Sequence, residues 1–132
     1  MDISKPWLIY CQNTNKYGFT ETFHEDIQGR KQGLAIGTNH DKTTSYEYTY
    51  KDNEKHGTCI TYNYNGTIRR IENYNEGVLD GIYEEFYSDG SKKVRMNYIN
   101  GNISGRVESW DPSGKPTVWT YPSEPLEEAI IS

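Results

Sequence analysis

The sequence predicts an all-β protein: one elongated antiparallel sheet, built as a meander of repeated β-hairpins. Three observations carry this. First, Gly33, Gly57, Gly81 and Gly105 recur every 24 residues, and Gly18, Gly66, Gly90 and Gly114 keep step with them. Gly29, Gly77 and Gly101 form a third set. A fixed period of this length marks an array of one supersecondary unit. Second, the 132 residues include 12 tyrosines, yet only 33% are hydrophobic. That inventory is too poor to fill a two-layer core and too aromatic for a disordered chain. Third, Asn65-Gly66 and Asp89-Gly90 stand between runs rich in Tyr, Ile, Thr and Val, which is hairpin chemistry.

The chain reads as a single repeat domain over 1–132, with units at 9–32, 33–56, 57–80, 81–104 and 105–128. Each unit supplies two strands, and a second turn such as Asn75-Glu76-Gly77 or Asn100-Gly101 leads into the next hairpin. At about 4.8 Å per strand, five units span roughly 45–50 Å. The outer units depart from the pattern. Unit one has Ile9 in place of the lead glycine. Unit two has Lys42 at the hairpin turn and Asn53 at the second turn. Asn tolerates the left-handed region, so Asn53 substitutes well for glycine. Lys42 does not, and Asn39-His40-Asp41-Lys42 is expected to form a different loop. In the tail, Ser123 to Ile131 would make either a short helix capped by Ser123 or a disordered segment. As a helix it would cover the last strand edge.

Two phased rows organise the side chains. Cys11, Ala35, Cys59, Tyr83 and Val107 lie two residues into each unit and suit a buried row. Tyr62, Phe86 and Trp110 lie five residues in and form an aromatic ladder. Three positions separate the rows, so they face opposite sides of the sheet or a bulge re-aims one of them. Tyr50, Tyr74 and Tyr98 form a third row. Tyr46-Glu47-Tyr48-Thr49-Tyr50 alternates strictly, and Tyr46 and Tyr48 fall outside the shared rows. Cys11 and Cys59 share a phase two units apart, which separates them by roughly 19 Å across the strands. A disulfide needs α-carbons within about 7 Å, so both thiols are expected free and semi-buried.

The charge of −5 at neutral pH argues against nucleic acid, whose binding needs a basic patch. Arg69-Arg70 with Lys92-Lys93 is the one candidate, and reads as a solvated strand face. The apolar runs are too short for a membrane span, and the first residues lack a signal-peptide pattern, so a cytoplasmic setting is expected. The sequons Asn65-Gly66-Thr67 and Asn102-Ile103-Ser104 read as by-products of Asn-rich turns. The three histidines share no phase and have no metal-ligand spacing, and Glu84 and Glu85 point to opposite faces of one strand. No catalytic residue, metal or cofactor is expected. Acidic residues gather at the junction of units three and four: Glu72, Glu76, Asp80, Glu84, Glu85 and Asp89. They solvate an exposed face or complement a basic partner.

Gly81-Ile82-Tyr83-Glu84-Glu85-Phe86-Tyr87-Ser88-Asp89-Gly90 and Asn97-Tyr98-Ile99-Asn100-Gly101 resemble the MORN-repeat family, in particular its bacterial variant of 24-residue period. The resemblance is close over 57–114 and is carried by glycines and Tyr50 in the first two units. It implies a hairpin array that serves as an interaction platform, and for the bacterial variant an antitoxin-like or immunity role. Some such arrays bind lipid headgroups, a reading the acidic balance weakens. The expected function is a non-catalytic module that binds and inhibits one protein partner, a toxin or a defence enzyme, through Tyr46, Tyr48, Tyr62, Glu84, Glu85, Phe86 and Trp110. The alternatives are a self-assembling scaffold, or a binder of small molecules or lipid headgroups on a Tyr-lined sheet.

Overall fold

The structure, a computed structural model, describes residues 7–121. The expected C-terminal helix lies outside them. The described residues form one antiparallel sheet. Its main path is β1 (Ile9–Thr14), β2 (Thr20–Glu25), β3 (Gly33–Thr38), β4 (Thr44–Lys51), β6 (Gly57–Tyr62), β7 (Ile68–Asn75), β9 (Gly81–Phe86), β10 (Lys92–Ile99), β11 (Asn102–Trp110) and β12 (Pro116–Tyr121). Two further pieces, β5 (Glu54–Lys55) and β8 (Val78–Leu79), pair with β4 and β7. Along the main path every strand pairs with the one that follows it, so the meander is as expected. Ten strands across the path span roughly 43 Å.

Two kinds of turn connect the strands. The hairpin turns start at Asn15, Asn39, Asn63, Tyr87 and Asp111, and share one pair of backbone bonds. In the third, the Asn63 N–H donates to the Thr67 carbonyl at 2.8 Å and the Gly66 N–H to the Asn63 carbonyl at 2.9 Å. Gly66 is left-handed at φ 88°. Asn65 contributes through its side chain, whose oxygen accepts the Thr67 N–H at 3.0 Å. The loop at Asn39 follows the same scheme, against expectation. The Lys42 N–H donates to the Asn39 carbonyl at 2.9 Å, and Lys42 itself adopts φ 76°. Asp41 accepts the Thr43 N–H and hydroxyl, at 3.1 and 2.6 Å. This local bonding holds the loop, and lysine occupies a position that glycine takes elsewhere.

The first unit-joining turn, Asp26 to Arg30, repeats the hairpin scheme, with the Asp26 N–H donating to the Arg30 carbonyl at 2.9 Å and the Gly29 N–H to the Asp26 carbonyl at 3.0 Å. The other three are two-residue turns with both residues at positive φ: Asp52-Asn53, Glu76-Gly77 and Asn100-Gly101. That is the type I′ geometry that matches strand twist. Asn53 fills the glycine position as expected, at φ 70°. Each of these turns docks on the unit before it. The N–H groups of Asn53, Gly77 and Gly101 donate to the carbonyls of Lys31, Lys55 and Leu79 at 3.1, 2.8 and 2.7 Å. The N–H groups of Asp52, Glu76 and Asn100 donate to side chains of Gln32, His56 (Nδ1) and Asp80 at 3.1, 3.0 and 3.1 Å. His56 thereby has a structural acceptor role.

Pairing register assigns the faces. Cys11 pairs with Phe23, Ala35 with Tyr48, Cys59 with Glu72, Tyr83 with Met96 and Val107 with Trp119. Directly paired residues share a face, so these ten side chains run in one row across the sheet. Every buried strand residue lies on this core face, including Ala35 (0% exposed), Cys59 (1%), Val107 (3%) and Phe23 (6%). Cys11, at the end of the row, is half-buried. Side chains from the leading strand of each hairpin are compact except Tyr83; those from the return strand are large. The alternation lets a single layer close-pack without a second sheet above it.

Register shifts fall in three hairpins, at Gly37/Thr38, Thr61/Tyr62 and Lys92/Val94. Each places the extra residue on the return strand: Ser45, Arg69 and Lys93. A fourth shift, at Arg95/Asn97, puts extra residues on β11 between Ser104 and Glu108. From its core-row residue to the hairpin turn each leading strand stays regular, so the row of Tyr62, Phe86 and Trp110 lies opposite the core row.

Candidate functional site

The side chains expected to contact a partner divide between the two faces. Tyr46, Tyr48 and Glu85 are on the core face; Tyr62, Glu84, Phe86 and Trp110 are on the open face. All seven are partly exposed.

On the core face, β4 presents Tyr46, Tyr48 and Tyr50 opposite Gly37, Ala35 and Gly33. The Tyr46 and Tyr48 rings stack at 4.1 Å between centroids and 17° between planes. The Tyr46 hydroxyl donates to Glu21, and burial followed by this bond pushes its pKa well above the usual phenol value. Burial and then the Glu85 carboxylate, 2.6 Å away, do the same to Tyr83. Glu85 is thus engaged within the core face.

Sequence reading missed two lysines here. Lys31 and Lys55 are 24 residues apart, a signal the period itself offered. The Lys31 ammonium lies 4.7 Å from the Phe23 ring centroid and 5.0 Å from that of Tyr50, with Glu21 at 2.9 Å. The Lys55 ammonium lies 4.3 and 5.2 Å from Tyr48 and Tyr74. Contacts of this type contribute about 0.5–1 kcal/mol when partly exposed. Leu79 and Ile103 occupy the same phase in the next units, so the row changes from cationic to apolar halfway along.

The open face has no buried side chain on its strands. Along one line run Ile36, Glu47, Ile60, Ile71, Glu84, Arg95 and Glu108, each paired with the next. Arg95 bridges Glu84 at 3.5 Å and Glu108 at 3.9 Å. Beside this line stand Tyr62, Phe86 and Trp110. The Tyr62 hydroxyl donates to Glu47 at 2.5 Å; that bond, then burial, pushes its pKa up to about 12. Lys92 lies 5.5 Å from the Trp110 ring centroid, and the Tyr87 hydroxyl donates to the Trp110 carbonyl at 2.7 Å. At the other end of the same face, Leu8, Tyr10, Thr22, Leu34 and Ile36 line an open groove of about 390 Å³.

The acidic residues of units three and four are dispersed. Glu72 is buried beside Tyr74 and Arg70, Glu84 and Glu85 take opposite faces, Asp80 holds a unit-joining turn and Asp89 a hairpin turn. The basic residues disperse likewise: Arg69 and Lys93 are bulge residues, Arg70 pairs with Glu72 at 3.6 Å, and Lys92 covers Trp110. Asp26, also buried, anchors the β2–β3 turn. Its burial opposes ionisation, but bonds from Arg30, Gln32 and Gln28 outweigh that and hold the carboxyl well below the usual carboxylate range. Both cysteines are free, and their strands are four steps apart across the sheet. Among the described residues no cluster of three or more His, Cys, Asp or Glu could hold a metal ion, and no helix is long and apolar enough to cross a membrane.

No curated protein matches the chain. Residues 55–76 and 79–100 each match the family model of the MORN repeat variant, so the centre of this sheet is built of MORN-type repeats.

Proposed function

We propose that the protein is a non-catalytic binding module of the antitoxin-like, 24-residue MORN type, which inhibits one protein partner by docking on the open face. The carrying observation is the division of labour between faces. The core face holds every buried strand residue, whereas the open face carries Tyr62, Phe86 and Trp110 partly exposed in one row. Aromatic side chains supply much of the energy at protein interfaces. The groove at Tyr10, Leu34 and Ile36 offers the same face a recess for an apolar anchor. The net charge of −5 would speed encounter with a basic partner. Tyr46, Tyr48 and Glu85 then act as framework for that surface.

The test is affinity capture from the native source with the wild-type chain and with the triple variant Tyr62→Ala, Phe86→Ala, Trp110→Ala. A partner whose activity the wild type inhibits, and which the triple variant binds at least tenfold more weakly, supports the reading. Equal binding by a folded triple variant overturns the open-face assignment.

A further inference from the structure

We propose that the two edges of the sheet are complementary, so that β12 of one copy pairs with β1 of another and the array continues head to tail through copies of this chain. Three observations lead there.

The first is register. Within the sheet each return strand meets the next leading strand in a fixed way: Tyr46 pairs with Thr61, Arg70 with Glu85 and Val94 with Ser109. Leading strands all run in one direction, so a β1 placed after β12 is antiparallel to it, as the ladder requires. The same register sets Trp119 beside Cys11 of the following copy.

The second is the alternation of size along the core row. Large return-strand side chains are flanked by leading-strand neighbours on both sides, except at the ends. Among the described residues Trp119 has Val107 on one side only, and it is 43% exposed. Among the described residues Cys11 has Phe23 on one side only. One edge lacks a compact neighbour and the other presents one.

The third is chemistry. Both edge strands are six residues long and uncharged, Ile-Tyr-Cys-Gln-Asn-Thr and Pro-Thr-Val-Trp-Thr-Tyr. Ile9, Tyr10, Val118 and Tyr121 are exposed on them. Edges that remain solitary are usually blunted by charge, proline or a covering segment; proline stands only at the first position of β12, Pro116. A heterologous contact of this kind adds copies until the rotation closes a ring or a filament grows. This inference does not rest on the open-face partner: Tyr10 also lines the groove, but the argument comes from strand pairing at the edges and the experiment reads self-association.

The experiment is light scattering of the full chain from low micromolar to millimolar concentration, with edge variants. Cys11→Arg fills the compact position, and its charge can pair with the neighbouring Glu25; Trp119→Glu blocks the other edge. The wild-type mass should rise with concentration beyond a dimer. Each variant alone should be monomeric, and an equimolar mixture should give twice the monomer mass and no more, since one good edge of each kind remains. Far-ultraviolet circular dichroism verifies folding. If either variant is unfolded, Tyr10→Glu and Val118→Glu replace the pair with the same expectations. A wild-type chain that stays monomeric throughout overturns the proposal. So does a folded mixture that stays monomeric, or a Trp119→Glu variant that dimerises by itself.

Discussion

Tyr46 lies directly over Gly37 across the β3–β4 ladder, so closely that a Cβ on Gly37 would sit 2.3 Å from the Tyr46 ring. The missing side chain is what lets Tyr46 lie flat and stack on Tyr48. Gly37→Ala is therefore expected to destabilise by about 1–3 kcal/mol, the usual cost of forcing a packed side chain aside. Denaturant unfolding measures it. In a Tyr46→Ala background the same change should cost much less, because the clash has been removed.

Lys42 holds a left-handed conformation that disfavours a side chain. Lys42→Gly should stabilise the protein by about 1 kcal/mol, and Lys42→Ala should leave stability nearly unchanged. Asp41→Ala should destabilise, since it removes both bonds to Thr43. Thermal melts of the three variants give the comparison.

The sequence made the meander, the leading-strand core row and the left-handed Asn53 legible, because each follows from local chemistry repeated in phase. The loop at Asn39 is not legible in the glycine pattern, because the Asp41–Thr43 bonds hold Lys42 where other units have glycine. Phe23 escaped notice for a different reason. Its hairpin lacks the extra return-strand residue, so it sits one position out of step with Tyr48, Glu72 and Met96. The division of the contact residues between faces needed knowledge that the leading strands are regular between the core row and the hairpin turn, and the spacing alone left that open.

The thiols should differ in reactivity. Burial comes first in raising both above the usual value, with the Glu25 carboxylate adding to it at Cys11. Cys11 is partly exposed and should alkylate slowly in the native protein; Cys59 should react only on unfolding. Intact mass spectrometry over time should show one label and then a second in denaturant, with no intramolecular bridge. Simultaneous labelling under native conditions would contradict the core row.

Alkaline pH should weaken the fold. Tyr62 is pushed up to about 12, and Tyr46, Tyr74 and Tyr83 higher still. The unfolded phenols ionise near pH 10. Stabilisation from these groups is complete below about pH 10 and is lost as pH rises through the raised values. Melting temperature should fall steeply above about pH 10, with tyrosinate absorbance appearing together with loss of β signal. Glu47→Gln should lower the Tyr62 value, because it removes the carboxylate that holds the phenol proton.

The docking of the last three unit-joining turns, each on the unit before it, bears on how fast the chain folds. Sheets usually form slowly because their strands are recruited from distant parts of the chain. Here the widest ladder pair, Thr20 with Thr38, closes a loop of only about 20 residues. One hairpin presents the carbonyl of Lys55 and the imidazole of His56 as landing points for the next turn. Assembly can therefore start at any hairpin and zip outward in both directions, at rates closer to those of helical bundles than of β-sandwiches.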